Sequence, residues 1–392
     1  MARPHDRSSA LDDEDWNIDV VEDLEAPAFE QLQLFSRDWT VETIASQIEQ
    51  RNIDLDPDFQ RRNVWTDERR SKLIESLVVG IPVPQIFLAE RAKRKRSFIV
   101  IDGKQRLLTI AGFLNPSHEY WNDARLVKLT IRKDLNGMSF QDMCADVTFR
   151  KEVRHLRNAD IRCAVISNYD EDDVLYHIFN RLNTTSVPLS TQELRQVLHR
   201  GPFSDFLAKY TDRPLPLHGV MGLQGPDKRL RDTELVLRFL AVYMFADAYT
   251  GNLKQFLDKT MDVLNRGWST WEPKVRRALA DLEKAIKLLE VTMRKEHVGR
   301  KVTDAQWEGR FNKVLFEVEA YYFTKVPRAK VTAASKSKFI RGFERLCDTD
   351  SDFRDSIEAT TKTVDRYATR FEAFMQLVNR SFQLRLRDNP FR

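Results

Sequence analysis

Residues Phe98 to Leu114, FIVIDGKQRLLTIAGFL, constrain this chain more than any other segment. They read as a buried strand that runs into Asp102-Gly103 and turns directly into an amphipathic helix. The turn carries Asp102, Lys104, Gln105 and Arg106. A helix N-terminus offers N–H groups and positive dipole to an anion, and Gly103 removes the Cβ that would hold a ligand off the backbone. Two cations beside an acid on so short a turn fit a phosphate held by Lys104 and Arg106, with Asp102 placed to touch a metal or a water. The plain alternative is an ordinary Asp-Gly turn in which Asp102 is an N-cap and Lys104 and Arg106 are surface residues.

The flanking sequence builds a domain around this turn. Val41 to Arg51 predicts a short helix, Asp54 to Arg62 an extended segment, and Asp67 to Val79 a helix with Leu73, Ile74, Leu77 and Val78 inward and Gly80 as its cap. Gln85 to Glu90 and Ser97 to Ile101 predict strands joined by the basic run RAKRKR. Asp160 to Ile166 predicts a further strand, Glu171 to Leu182 a helix, and Thr191 the start of another. Strands interleaved with helices indicate a compact α+β domain. From Asp227 onward the pattern turns helical: Leu235 to Phe245, Leu253 to Leu264, Pro273 to Met293, Gln306 to Phe323, Lys338 to Cys347 and Phe353 to Val378. In the third of these, Val275, Leu279, Leu282, Ile286, Leu289 and Met293 form an apolar seam for a partner helix, expected within the same bundle, with a homo-oligomer through this domain as the alternative. The expected organisation is an acidic, disordered tail over residues 1–38, an α+β domain over 39–205 and an all-α domain over 206–392.

Charge is unevenly spread. Residues 11–30 hold nine acids and no base, so the net +4 of the chain resolves into −9 there and +13 elsewhere. An acidic tail on a basic body fits a body that meets nucleic acid and a tail that screens it; a solubilising terminus is the simpler account. Arg91, Lys93, Arg94, Lys95 and Arg96 form a basic hairpin able to contact DNA phosphates without reading sequence. The acid-free stretch Tyr321 to Phe343, with Lys325, Arg328, Lys330, Lys336, Lys338 and Arg341, is a second such candidate. No apolar run approaches ~18 residues, so no membrane span is expected. MARPHDRSSA has no apolar core of a signal peptide, and Cys144, Cys163 and Cys347 are scattered, so the reading is a cytoplasmic chain without zinc or disulfides.

IDGKQRLLTI resembles the DGQQR signature of the N-terminal domain of the GmrSD type IV, modification-dependent restriction enzymes. Two further segments resemble blocks of that family in the same order. They are DPDFQRRNVWTDERRSKLIESLVVGIPVPQIFL, from Asp56 to Leu88, and IFNRLNTTSVPLSTQELR, from Ile178 to Arg195. A weaker echo follows from Arg229 to Leu257. The resemblance covers roughly residues 40–265; Lys104 replaces the more usual Gln, and Thr185-Ser186 stand where glycines are common.

The resemblance implies a ParB/sulfiredoxin-like fold for the first domain. In ParB-type nucleotide-binding domains a strand-turn-helix motif grips a triphosphate and a later helix holds metal and phosphate. By that analogy the DGKQR turn takes the first place and the FNRLNTT...LSTQE block the second. The implied roles are catalysis for Asp102, Gln105 and Arg106, and nucleotide binding for Gln60, Arg61, Arg62, Gly103, Lys104 and Arg181. Asn183 and Asp102 would be oxygen ligands of Mg²⁺, the type this ion accepts beside phosphates and waters. Each has a structural alternative: Arg61 and Arg62 in surface ion pairs, Arg181 at a helix end, Asn183 in a turn, Gln60 in packing.

The implied function is an NTP-binding, NTP-hydrolysing module of an antiviral, modification-dependent DNA restriction system, with NTP and Mg²⁺ as cofactors and DNA and a nuclease as partners. A stand-alone DNA endonuclease or nickase using the same turn, and a non-catalytic DNA- or protein-binding adaptor, are the competing readings. The chain has no G-x-x-x-x-G-K-[ST] phosphate loop, no G-x-S-x-G elbow and no histidine-centred HNH signature, with His297 standing alone. On the sequence, Asp102→Ala and Arg106→Ala are expected to abolish turnover and leave the fold intact.

Overall fold

Five strands form one mixed sheet in the order β1-β5-β3-β4-β2: β1 (Gln33–Thr40), β2 (Ile53–Asp54), β3 (Ile86–Glu90), β4 (Phe98–Asp102) and β5 (Asp160–Ser167). The computed structural model describes residues 32–55, 65–91, 96–116, 120–169, 174, 175, 178, 190–358 and 361–392. These divide into two compact units, one ending at Leu198 and one running from His199 to Arg392.

In the first unit β1 pairs antiparallel with β5, β3 runs parallel to β5 and antiparallel to β4, and β2 pairs parallel with β4. One sheet face, with Ile86, Leu88, Phe98, Val100, Cys163 and Val165, packs on α1 (Val41–Glu49), α2 (Asp67–Val79) and α3 (Lys104–Leu114). The opposite face, with Ala89, Ile99, Ile101 and Ile166, is covered by Leu175 and by Leu194 of α6 (Thr191–Leu198). Burial on both faces explains why β3 and β4 read as continuous apolar runs rather than as alternating ones.

The helix starts and stops follow local chemistry. Thr66 caps α2 by accepting from the Arg69 amide, and Gly80 ends it at φ +80°, the left-handed geometry a glycine adopts without strain. Leu73, Ile74, Leu77 and Val78 are buried, as their spacing predicted. The same helix also buries Glu75, which accepts from the amides of Ile131 and Arg132 at 2.8 and 2.7 Å, and Ser71, whose hydroxyl accepts from Val127 at 2.9 Å. These bonds tie the loop beyond α3 to the α2 surface. Two short helices, α4 (Phe140–Ala145) and α5 (Arg150–Arg157), lie between Leu114 and Asp160, where the sequence predicted no element.

β1 starts at Gln33, within the stretch assigned to the acidic tail. The segment QLFSRDWT lacks a clean alternation, and Leu34 and Phe35 are exposed. Its strand geometry comes from pairing with β5 along its whole length, from Gln33 opposite Ser167 to Thr40 opposite Asp160. Non-local pairing of this kind leaves no local signature.

The second unit is helical, with α7 (Pro202–Thr211), α8 (Pro216–Val220), α9 (Arg231–Phe245), α10 (Leu253–Arg266), α11 (Trp268–Met293), α12 (Lys313–Phe323), α13 (Ala333–Thr349), α14 (Ser351–Glu358) and α15 (Val364–Phe382). The expected seam of α11, from Val275 to Met293, is buried in the core of this unit. Three expectations are corrected. The unit is not wholly helical, because Val302–Thr303 and Gln306–Trp307 form a small antiparallel hairpin. The helix expected from Gln306 begins at Lys313, because the Asn312 side chain accepts from the amides of Val314 and Leu315 and sets the start there. The helix expected from Phe353 to Val378 is two, the second opened by Thr363, which accepts from the Arg366 amide. The His297 ring stacks on Trp307 with centroids 4.0 Å apart. Among the described residues no helix is long and apolar enough to cross a membrane.

Candidate functional site

The β3–β4 ladder slips by one residue near its end. Phe87 stands opposite Asp102 but Leu88 stands opposite Val100, so Ile101 is an extra residue on β4. Such bulges bend a strand and re-aim the side chains that follow. Asp102 ends the strand, Gly103 turns the chain at φ +98°, and α3 begins at once with Lys104. A Cβ on Gly103 would stand 3.0 Å from both Arg106 Nη2 and Ile86 Cγ1, so glycine is required for its φ and for the close approach alike. With glycine at the N-cap, no side chain caps α3.

Arg106 is not a surface cation. It is 7% exposed, and Nη2 donates to Asp102 Oδ2 at 2.7 Å and to the Gln85 carbonyl at 3.0 Å. The guanidinium therefore ties the end of β4 to the loop leading into β3. Its Nε is buried without a hydrogen-bond partner among the described residues, as is Oε1 of Gln105. Buried polar atoms are satisfied in most proteins, so two unmatched atoms on one turn make this corner a candidate site. Lys104 is half-buried on the first turn of α3.

A second group of orphans lies on α6. Ser190 and Glu193 cap this helix reciprocally, the Glu193 carboxylate accepting from the Ser190 amide and the Ser190 hydroxyl from the Glu193 amide at 3.1 Å. That capping box is the physical content of the STQE run. Behind it, Thr191, Gln192, Arg195 and Gln196 are buried, and Arg195 donates to Gln192 Oε1 at 2.6 Å. Thr191 Oγ1, Gln192 Nε2 and Gln196 Nε2 have no hydrogen-bond partner among the described residues. These four residues stand outside the site expected from the sequence. A helix whose buried face carries amides instead of apolar side chains was the available signal.

The remaining expected residues fall differently. Gln60, Arg61, Arg62, Arg181 and Asn183 lie outside the described residues, as do Lys93, Arg94 and Lys95. Of the basic hairpin, Arg91 is turned to Asp54 at 3.2 Å and its amide donates to the Ser97 carbonyl at 2.8 Å. Arg96 is exposed at φ +61°, with its amide on Glu90 Oε1 at 2.7 Å. In the second basic stretch Lys325 sits on the Tyr321 ring and donates to its hydroxyl at 3.0 Å, while Arg328, Lys330, Lys338 and Arg341 are exposed.

Residues 41–200 match the family model of the GmrSD restriction endonuclease, N-terminal domain. The match spans the sheet from β2 to β5, the DGKQR turn and α6, and it supports the resemblance carried by the three sequence blocks. No curated protein and no solved structure matches the chain.

Proposed function

We propose that residues 41–200 form the nucleotide-binding and nucleotide-hydrolysing module of a DNA-modification-dependent restriction system, acting on DNA together with a nuclease partner. The observation that carries the reading is the DGKQR turn: a glycine corner at the end of β4, leading into a helix with no side-chain cap, with buried unmatched atoms on Gln105 and Arg106. The family match over the same residues gives the biological setting.

In this reading the backbone N–H groups at the start of α3 and the Lys104 ammonium meet phosphate oxygens, compensating part of a charge close to four on a triphosphate. The turn takes the place of the phosphate-gripping motif of ParB-type domains. Arg106 acts as a positioning residue, since Nη2 already serves Asp102 and Gln85; Nε is its part left for a ligand or water. Gln105, with an unpaired oxygen, is suited to orient a water.

For Mg²⁺ the donor chemistry at the turn is a single carboxylate, Asp102, one oxygen of which accepts from Arg106. That is compatible with an ion which takes one or two protein oxygens and completes its shell with phosphate and water. Asp102 would hold it, with Asn183 as the second candidate, and the ion would supply neutralisation of phosphate charge.

Calorimetric titration of the full chain with each of the four NTPs, in magnesium and in chelator, tests the reading. The expected result is saturable binding of at least one NTP that weakens in chelator, with Asn183→Ala losing more affinity in magnesium than without it. Absence of binding by all four overturns the proposal.

A further inference from the structure

The helical unit holds a groove of about 550 Å³ between α7 and α11, within the size range of ligand sites, ~300–1,000 Å³. Phe206 and Tyr210, one turn apart on α7, present their rings along it with centroids 6.3 Å apart and planes at 22°. Behind them Trp268 packs against Phe206 at 4.9 Å with its plane tilted by 43°. Arg276 of α11 lies 4.7 Å over the Phe206 ring, and Arg213 lies 4.6 Å over Tyr210. A guanidinium stacked on a ring keeps its outer face available to another planar group. Lys209 lines the same groove and is exposed.

From this arrangement we infer that the α7–α11 groove binds single-stranded nucleic acid by stacking its bases on the Arg-capped aromatic row. Unpaired bases present the flat faces that such a row takes up, whereas duplex bases are already stacked on one another. The charge balance favours this over an acidic peptide. Arg213 meets Glu283 at 2.5 Å and Arg276 meets Glu272 at 2.7 Å, so two of the three cations are already matched by carboxylates. Tyr210 also donates to Glu283, at 2.9 Å, which fixes its ring angle. Planar surface, more than excess charge, is what the groove offers. The inference does not rest on the nucleotide reading of the other unit.

The test uses the full chain and a short fluorescein-labelled oligothymidylate, followed by anisotropy, beside an abasic strand of the same length. Stacking predicts that the abasic strand binds at least ~5-fold more weakly, and that Phe206→Leu and Arg276→Gln each weaken the intact strand ~3- to 10-fold. A strand carrying 5-iodouracil should photocrosslink to the peptides spanning 202–213 or 268–283. NTP turnover in these variants should equal that of the parent. Should Phe206→Leu fail to fold, the exposed pair Lys209→Ala and Arg276→Gln still decides the matter. Equal affinity for the abasic strand, equal competition by oligoglutamate, or crosslinks confined to residues 32–198 would each overturn the inference.

Discussion

The Arg106 guanidinium reaches back across Gly103 to the Asp102 carboxylate, Nη2 to Oδ2 at 2.7 Å, and with the same nitrogen holds the Gln85 carbonyl at 3.0 Å. The corner of the sheet therefore depends on one buried cation. Gly103 makes the reach possible, because any Cβ would stand against Nη2. Acid, glycine and arginine form a single mechanical unit.

Removing the arginine should thus affect stability as well as activity. Arg106→Ala removes the Asp102 ion pair and the bond to the Gln85 carbonyl from a largely buried corner, and breaking such a pair costs about 2–4 kcal/mol. Thermal melts should show a lowered Tm together with lost nucleotide binding, in contrast to the intact fold expected from sequence. Arg106→Lys keeps the charge but not the reach to both acceptors and should fall between. A variant as stable as the parent would show that the pair contributes nothing to the corner.

Gly103→Ala tests the corner without removing charge. At φ +98° an alanine is strained, and its Cβ would meet Arg106 and Ile86 at 3.0 Å, so about 1–3 kcal/mol of stability should be lost. Nucleotide affinity should fall with it, because the backbone can no longer approach the phosphates. Unchanged melting and unchanged affinity would mean that the turn relaxes freely.

Much of the first unit was legible because its signals are local. The 3.6-residue spacing of α2, the Gly80 cap and the apolar runs of β3 and β4 all sit within a few residues of the structure they specify. β1 was not legible, since its partner β5 lies more than a hundred residues away and its own pattern is mixed. At the site, the turn and its glycine could be read, but the inward rotation of Arg106 could not. An arginine on the first turn of a helix that follows an Asp-Gly corner reads the same in sequence whether it faces solvent or the core. The buried amides of α6 were missed for the related reason that polar residues are read as surface by default.

The helical unit should be less stable in alkali. Burial pushes the Glu319 carboxyl up from 4.5 to about 8, outweighing the Gly299 amide and the Arg300 charge that favour its ionised form. Burial opposes charging of His199, but Asp258 and Asp262 outweigh it and raise the imidazole from 6.5 to about 9. Both groups bind protons more tightly folded than unfolded. Stability therefore falls as pH rises, through 4.5 to 8 for Glu319 and through 6.5 to 9 for His199. Glu319→Gln keeps an acceptor for the Gly299 amide and cannot ionise, so above its pKa of about 8 it should melt several degrees higher than the parent. A Tm that rises with pH across this window, or a glutamine variant less stable there, would reverse the assignment.

Deleting residues 11–30 removes nine acids from a chain of net +4. If that segment screens a basic surface, the truncated protein should bind DNA more tightly and with a steeper salt dependence. Identical affinity and slope would make the segment a solubilising terminus.

The central claim is tested most directly by phosphate release from the four NTPs, measured with and without modified DNA, in the parent and in Asp102→Ala. Release from at least one NTP, abolished in the variant, is the expected result, with supercoiled plasmid left intact by the purified chain in Mg²⁺ or Mn²⁺. No release from any NTP, together with plasmid nicking that disappears in Asp102→Ala, would contradict the account and make the DGKQR turn a nuclease centre.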